Sequence, residues 1–181
     1  EKTFPELPVY DSSRKVKSNV NIDPFIPKGM KAHILVFVNG VYYPYQDQQI
    51  SNQQLSVSIL SDEITSDLNG LKKYFGNVTA SRHSFELLNA AFSQNGIILK
   101  VEDNHVIQDP VFIINIADDP GKDKILHTRN QFLFGKNSQA TNIESFHTSG
   151  GEPVFTNTHT DFHLKSNSNV KYIIVGLESS N

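Results

Sequence analysis

The second half of the chain repeats. Sliding it by thirty residues puts Phe132 on Phe162, Phe134 on Leu164, Asn137-Ser138 on Asn167-Ser168, Ala140 on Val170 and Ile143 on Ile173. Apolar positions fall on apolar positions, and turns fall on turns. A fixed period with recurring side chains marks a solenoid, in which each coil buries its apolar face on the next. The flanking sequence agrees. Short β-rich runs follow one another at Ile97–Val101, Val111–Ile116, Gln131–Phe134, Thr141–Phe146, Val154–Leu164 and Val170–Val175. Polar turns such as Gly135–Ser138 and Lys165–Asn169 separate them, and no long helical pattern interrupts them. The expectation is a mainly β fold whose core, residues 96–181, is a stack of parallel coils.

Residues 1–95 have a different character and are read as a small, partly irregular α+β region. Residues 1–31 are proline-rich with little periodicity, an irregular lead-in draped over the rest. A hairpin is expected over residues 32–43, because Asn39-Gly40 separates Ile34–Val38 from Val41-Tyr42-Tyr43 and both turn positions tolerate positive φ. Residues 46–56, rich in Gln, Asn and Ser, read as a loop. Asp62 to Phe75 forms a weak helical pattern. A better helix spans about 85–94, capped by Ser84, with Phe85, Leu88, Ala91 and Phe92 as its stripe and Asn95-Gly96 as its stop.

Composition narrows the function. The 181 residues carry a formal net charge of −3, and the one basic group, Arg14–Lys17, is too small for a phosphate-binding stripe, so nucleic acid is set aside. The chain has no cysteine, which excludes disulfides, thiolate nucleophiles and Cys-ligated zinc or iron–sulfur clusters within it. The runs Ile34–Val38 and Val111–Ile114 are far too short to span a bilayer, and no basic-then-apolar leader opens the chain. A cytoplasmic location is expected, with the Asn77-Val78-Thr79 sequon unused. Beginning at Glu1 and ending just past the apolar run Tyr172–Val175, the chain reads as a fragment.

One pattern carries chemistry. In His159-Thr160-Asp161-Phe162-His163, alternate residues of a strand share a face, so two imidazoles and a carboxylate would point together, a donor set suited to a divalent metal. The structural alternative puts Thr158, Thr160, Phe162 and Leu164 inward and leaves His159, Asp161 and His163 on a solvated outer face. His127 and Arg129 are candidates for binding an anion or a partner's carboxylate. The slide also stacks Gln131 on Asp161, so an Arg129–Asp161 pair on the coil surface would account for the arginine structurally. No Gly-x-Ser-x-Gly elbow or Gly-rich phosphate loop is present, and Gly150-Gly151 reads as a turn.

Several stretches together resemble the SufB/SufD family of iron–sulfur cluster assembly proteins, SufD more than SufB. They are Phe85–Phe92 followed by Asn95-Gly96, His127-Thr128-Arg129-Asn130 with Thr128 where the family has proline, Asn137–Thr141, Phe155-Thr156-Asn157, and upstream Leu35–Tyr42. The resemblance implies a right-handed parallel β-helix flanked by largely helical segments. It also implies a scaffold role beside a SufB-type paralogue and a separate SufC-type ATPase. The iron–sulfur cluster and ATP then belong to the parent complex, and no cofactor is assigned to these residues. The family's tryptophan-containing N-terminal motif is missing, since the chain has no Trp, and its later coils and C-terminal helical segment are absent. The expected function is a non-catalytic scaffold that self-associates through residues 154–175. Two rivals stand beside it. One is a polysaccharide-acting β-helix enzyme whose exposed face carries Arg129, Glu144, His159 and Asp161. The other is a small metal-binding protein built on His159, Asp161 and His163.

Overall fold

The computed structural model describes residues 20–45, 50, 52–66, 83–93, 95–118, 125–149 and 154–177. Among them nine strands form two mixed sheets: β1 (His33–Val38), β2 (Val41–Tyr43), β3 (Leu55–Ile59), β4 (Ile97–Val101), β5 (Val111–Ala117), β6 (Ile125–Phe134), β7 (Gln139–Thr148), β8 (Phe155–Leu164) and β9 (Asn169–Leu177). One sheet has the order β2-β1-β5-β7-β9, the other β3-β4-β6-β8. Two short helices, α1 (Leu60–Ser66) and α2 (Ser84–Phe92), complete the described elements with a single 3₁₀ turn at Asp23–Phe25. The protein is mainly β. No described helix is long and apolar enough to cross a membrane.

From β4 onward the chain alternates between the sheets, and from β6 each strand lies parallel to the one two places earlier. The thirty-residue slide appears here as register: Phe132 sits beside Phe162 and Phe134 beside Leu164, while Ala140 sits beside Val170 and Ile143 beside Ile173. An earlier turn joins the same stack at a different spacing. Asn104, Asn137 and Asn167 all adopt positive φ (63°, 54° and 58°), a conformation asparagine tolerates better than most residues. Their amides form a ladder. Asn137 donates to Asn104 at 2.8 Å across 33 residues, and Asn167 donates to Asn137 at 3.1 Å across 30.

Burial explains the sequence pattern. Leu35, Phe37, Leu99, Val101, Val111, Ile113, Phe132, Phe134 and Ala140 pack between the sheets. On the opposite face of β1 and β5, Ile34, Val36, Val38, Phe112, Ile114 and Ile116 are covered by Ile22, Phe25 and Met30 from the irregular segment. Both strands are therefore apolar without alternation, as strands buried on two faces must be. Each such side chain contributes roughly 1.5–3 kcal/mol, so these strands anchor the five-stranded sheet rather than the three-residue β2. That strand closes the hairpin, with Asn39 and Gly40 at φ 52° and 76°. The Asn39 side chain also pairs with the backbone of Asp118 in both directions, each bond 2.9 Å.

The structure corrects several local expectations. Residues 55–56 belong to β3, not a loop; the alternation Leu55-Ser56-Val57-Ser58-Ile59 is a half-buried strand paired with β4. Helix α1 starts at Leu60, earlier than Asp62, and the remaining positions of that pattern, Leu68, Leu71 and Phe75, lie outside the described residues. Ser84 is the first helical residue rather than the cap. His83 precedes it and makes no side-chain capping bond. Phe162 and Leu164 lie on the inner face but are 38% and 55% exposed, because β8 is the edge of its sheet. Arg14–Lys17, the 77–79 sequon and Gly150-Gly151 also lie outside the described residues.

Gly96 has a stronger reason to be glycine than ending a helix. Its φ is +139°, and an added Cβ would overlap the backbone of Arg129. The close approach lets the Arg129 N–H donate to the Asn95 carbonyl at 2.9 Å. Gly96→Ala is expected to destabilise the chain by about 1–3 kcal/mol. Gly176→Ala in β9, where a Cβ meets nothing within 4 Å, should stay within about 0.5 kcal/mol. Urea unfolding midpoints check this, and equal midpoints for the two variants would contradict the packing account.

Candidate functional site

Strand alternation turns Phe132 inward and Arg129, Gln131 and Leu133 outward on β6. On β8 their register partners are His159, Asp161 and His163. The outer face of the four-stranded sheet therefore collects five polar side chains in a small area. Asp161 is the hub. Its Oδ2 accepts from Arg129 Nη2 at 2.7 Å and from Gln131 Nε2 at 2.5 Å, and its Oδ1 accepts from His159 Nε2 at 2.9 Å. The Gln131 carbonyl oxygen in turn accepts from His163 Nε2 at 3.0 Å.

A carboxylate and an amide oxygen can only accept, so both histidines present Nε2–H as donors. His159 turns to Asp161 and His163 turns to Gln131, so the three expected ligands do not converge on one point. Among the described residues no group of three or more His, Asp or Glu side chains is arranged to hold a metal ion. Gln131 is the member the motif did not reveal. Its signal was the slide itself, which places it on Asp161.

Arg129 is buried to 1%, so this is no ordinary surface pair. Burial pushes the Asp161 carboxyl up, but the hydrogen bond from His159, the Arg129 charge and the Gln131 amide outweigh it and hold the group below its ordinary value. His127 stands apart. Its ring lies 5.9 Å from that of Phe92 on α2, and its Nδ1 is 3.3 Å from Asn157 Nδ2, which also donates to the Phe85 carbonyl at 2.9 Å. Burial lowers the His127 pKa, favouring the neutral ring that accepts from Asn157. His127 therefore packs against α2, and Arg129 faces Asp161. Glu144, assigned to an exposed sugar-binding face, is fully buried between the sheets, which removes a carboxylate that the polysaccharide reading needs.

Asp161→Asn keeps the shape and removes the charge facing Arg129. A loss of about 1.5–3 kcal/mol is expected at neutral pH. Because the native carboxyl is held low, its contribution is present above the ordinary aspartate value of 3.8 and is lost as pH falls through the folded value. The wild-type advantage should therefore fade in acid. Urea titrations at several pH values check both points, and an unchanged midpoint at neutral pH would contradict the hub role.

Residues 25–113 match the family model described as the SufBD protein N-terminal region. No curated protein matches the chain at a significant level. The matched residues include the hairpin, α2 and strands β3 and β4. The Leu35–Tyr42 and Phe85–Phe92 stretches that carry the resemblance lie within the match. The His127–Asn130 and Asn137–Thr141 stretches lie beyond the match. Covering just under half of the chain, the match supports the SufB/SufD family of iron–sulfur cluster assembly proteins.

Proposed function

We propose that this chain acts as a non-catalytic, SufD-like scaffold in a Suf-type assembly complex. The carrying observation is the family match over residues 25–113. In this reading the two-sheet alternation is the opening of a right-handed parallel β-helix. Parallel crossovers within one sheet are right-handed in about 98% of cases, which supports that hand. A SufB-type paralogue and a SufC-type ATPase are the partners, ATP is hydrolysed by the latter, and the iron–sulfur cluster is the cargo of the whole assembly. The cytoplasm is the compartment where such a complex works.

The site's chemistry supports a structural role. The strongest polar constellation, Asp161 with Arg129, Gln131, His159 and His163, is engaged in hydrogen bonds among its own members. The working surface is instead the open end of the stack, where β8 and β9 are the edge strands of the two sheets. Phe162, Leu164, Ile174 and Leu177 are 38–62% exposed there. Edge strands with apolar side chains and open backbone groups invite pairing with another chain.

Two measurements test the reading. Co-expressed with a SufB-type subunit and a SufC-type ATPase, the chain is expected to co-elute with them on size exclusion; elution alone, while the other two co-elute, would overturn the scaffold role. By itself the chain should self-associate in sedimentation velocity. A Leu164→Lys/Ile174→Lys variant should shift toward monomer, and a strictly monomeric wild type at high concentration would contradict the edge assignment.

A further inference from the structure

Glu144 is the one described acid that is fully buried between the sheets. It stands on the inner face of β7, where its register neighbours are Ile113 on β5 and Ile174 on β9. Its Oε1 accepts from Asn115 Nδ2 at 2.9 Å and from Asn130 Nδ2 at 3.3 Å. Its Oε2 accepts from the Tyr172 hydroxyl. Tyr172 reaches in from β9 with its ring edge-on to Phe132 (5.9 Å) and Phe162 (5.3 Å), and its hydroxyl lies 3.4 Å from Thr160 Oγ1 on β8. One carboxyl thus touches β5, β6 and β9 and, through the phenol, reaches β8.

The groups facing this carboxyl are Asn115 from β5, Asn130 from β6 and Tyr172 from β9, with Thr160 of β8 behind the phenol. None of them carries a charge near neutrality. A carboxylate here is stabilised by neutral donors alone, whereas Asp161 on the outer face has a guanidinium. Burying an ion without a counter-charge is costly, and the ordinary response is to hold the proton.

We propose that Glu144 is a proton-operated latch that ties edge strand β9 to the rest of the stack. When the carboxyl is neutral, its Oε2–H donates to the Tyr172 oxygen, and the phenolic proton turns to Thr160 Oγ1, linking β7, β9 and β8 in one chain. When the carboxyl ionises, one proton leaves to solvent. The Tyr172 O–H then turns back to Oε2 and the Thr160 hydroxyl donates to the phenol oxygen, so the chain of bonds survives but ends on a buried carboxylate that has neutral donors and no counter-charge. The hydroxyl is both donor and acceptor, so the same atoms serve either state. The latch does not depend on the scaffold reading, since it concerns the chain's own cohesion.

Protonation equilibria point the same way. Burial raises Glu144, and its hydrogen bonds from Tyr172, Asn115 and Asn130 offset this in part. Burial and then the Glu144 charge raise Tyr172, so the phenol keeps its proton. A carboxyl held above its ordinary 4.5 binds its proton more tightly folded than unfolded. Its stabilisation is full below that ordinary value and is lost as pH rises through the folded one. His127 and His147, lowered by burial, give the opposite slope at mildly acidic pH, so variants must be compared with wild type at each pH.

The test is the thermal midpoint of the full chain from about pH 5 to about pH 8, for wild type, Glu144→Gln and Tyr172→Phe. Glutamine keeps the acceptor for Asn115 and Asn130 and gives a permanent donor toward Tyr172. Relative to wild type, Glu144→Gln should gain several degrees as pH rises, and Tyr172→Phe should lose ground over the same range. A wild-type-minus-Glu144→Gln difference that stays constant with pH would overturn the latch. Should Glu144→Gln not fold, the infrared band of a protonated carboxyl decides. Persistence in wild type above the ordinary glutamate range, and a shift in Tyr172→Phe, carry the proposal. Absence of the band, or no shift, overturns it.

Discussion

Everything in this protein follows from the parallel register between strands some thirty residues apart. With Phe132 fixed beside Phe162 and Gln131 beside Asp161, strand alternation assigns each neighbouring side chain to a face. A slip of one residue would exchange the two faces, bringing Asp161 inward and Phe162 out. Burial between the sheets and hydrogen bonding on the outer face therefore specify the same register. The asparagine ladder at the turns agrees with it, Asn167 donating to Asn137 thirty residues away.

The space between the sheets is not uniform. Toward the asparagine turns it is filled by Phe132, Phe134, Leu99 and Ala140. Toward the other end it becomes polar: the Thr128 and Thr158 hydroxyls meet at 2.8 Å, Asn89 of α2 donates to the Thr128 and Asn157 carbonyls at 2.8 and 2.7 Å, and Asn130 and Glu144 lie close by. Buried polar groups must be paired to be tolerated, and these pairs join neighbouring strands. The apolar half supplies bulk stability, while the polar half constrains which strands meet. The outer network around Asp161 adds a charged tie between β6 and β8. These arrangements give cohesion and shape.

The repeat was legible where turns have equal length. Gly135–Ser138 and Lys165–Ser168 join successive strands in the same way, so a single slide aligned both sides. The preceding coil was hidden because its turn stands 33 residues from the next, and its strand β5 pairs with β7 at another offset. Strand β3 was obscured by surrounding Gln and Ser, although Leu55, Val57 and Ile59 alternate correctly. Glu144 was misplaced by its charge. Its register neighbours Ile113 and Ile174 were the counter-signal, but reading them required the sheet pairing. The burial of Arg129 was not legible at all, since it depends on tertiary packing over the outer face rather than on strand alternation. The His159-Asp161-His163 spacing shares one strand face, where His159 turns to Asp161 and His163 to Gln131.

The register can be tested directly because the chain has no cysteine. Neighbouring strands lie about 4.7–4.9 Å apart, within the Cα separation of about 4.4–6.8 Å that a disulfide accepts. A Thr128→Cys/Thr158→Cys variant places the thiols on register partners, and Thr128→Cys/Thr160→Cys sets them two residues out of step. Mass spectrometry of non-reduced peptides after mild oxidation should find the first pair crosslinked and the second open. A crosslink in the second pair, or none in the first, would contradict the thirty-residue register and with it the placement of every side chain that depends on it.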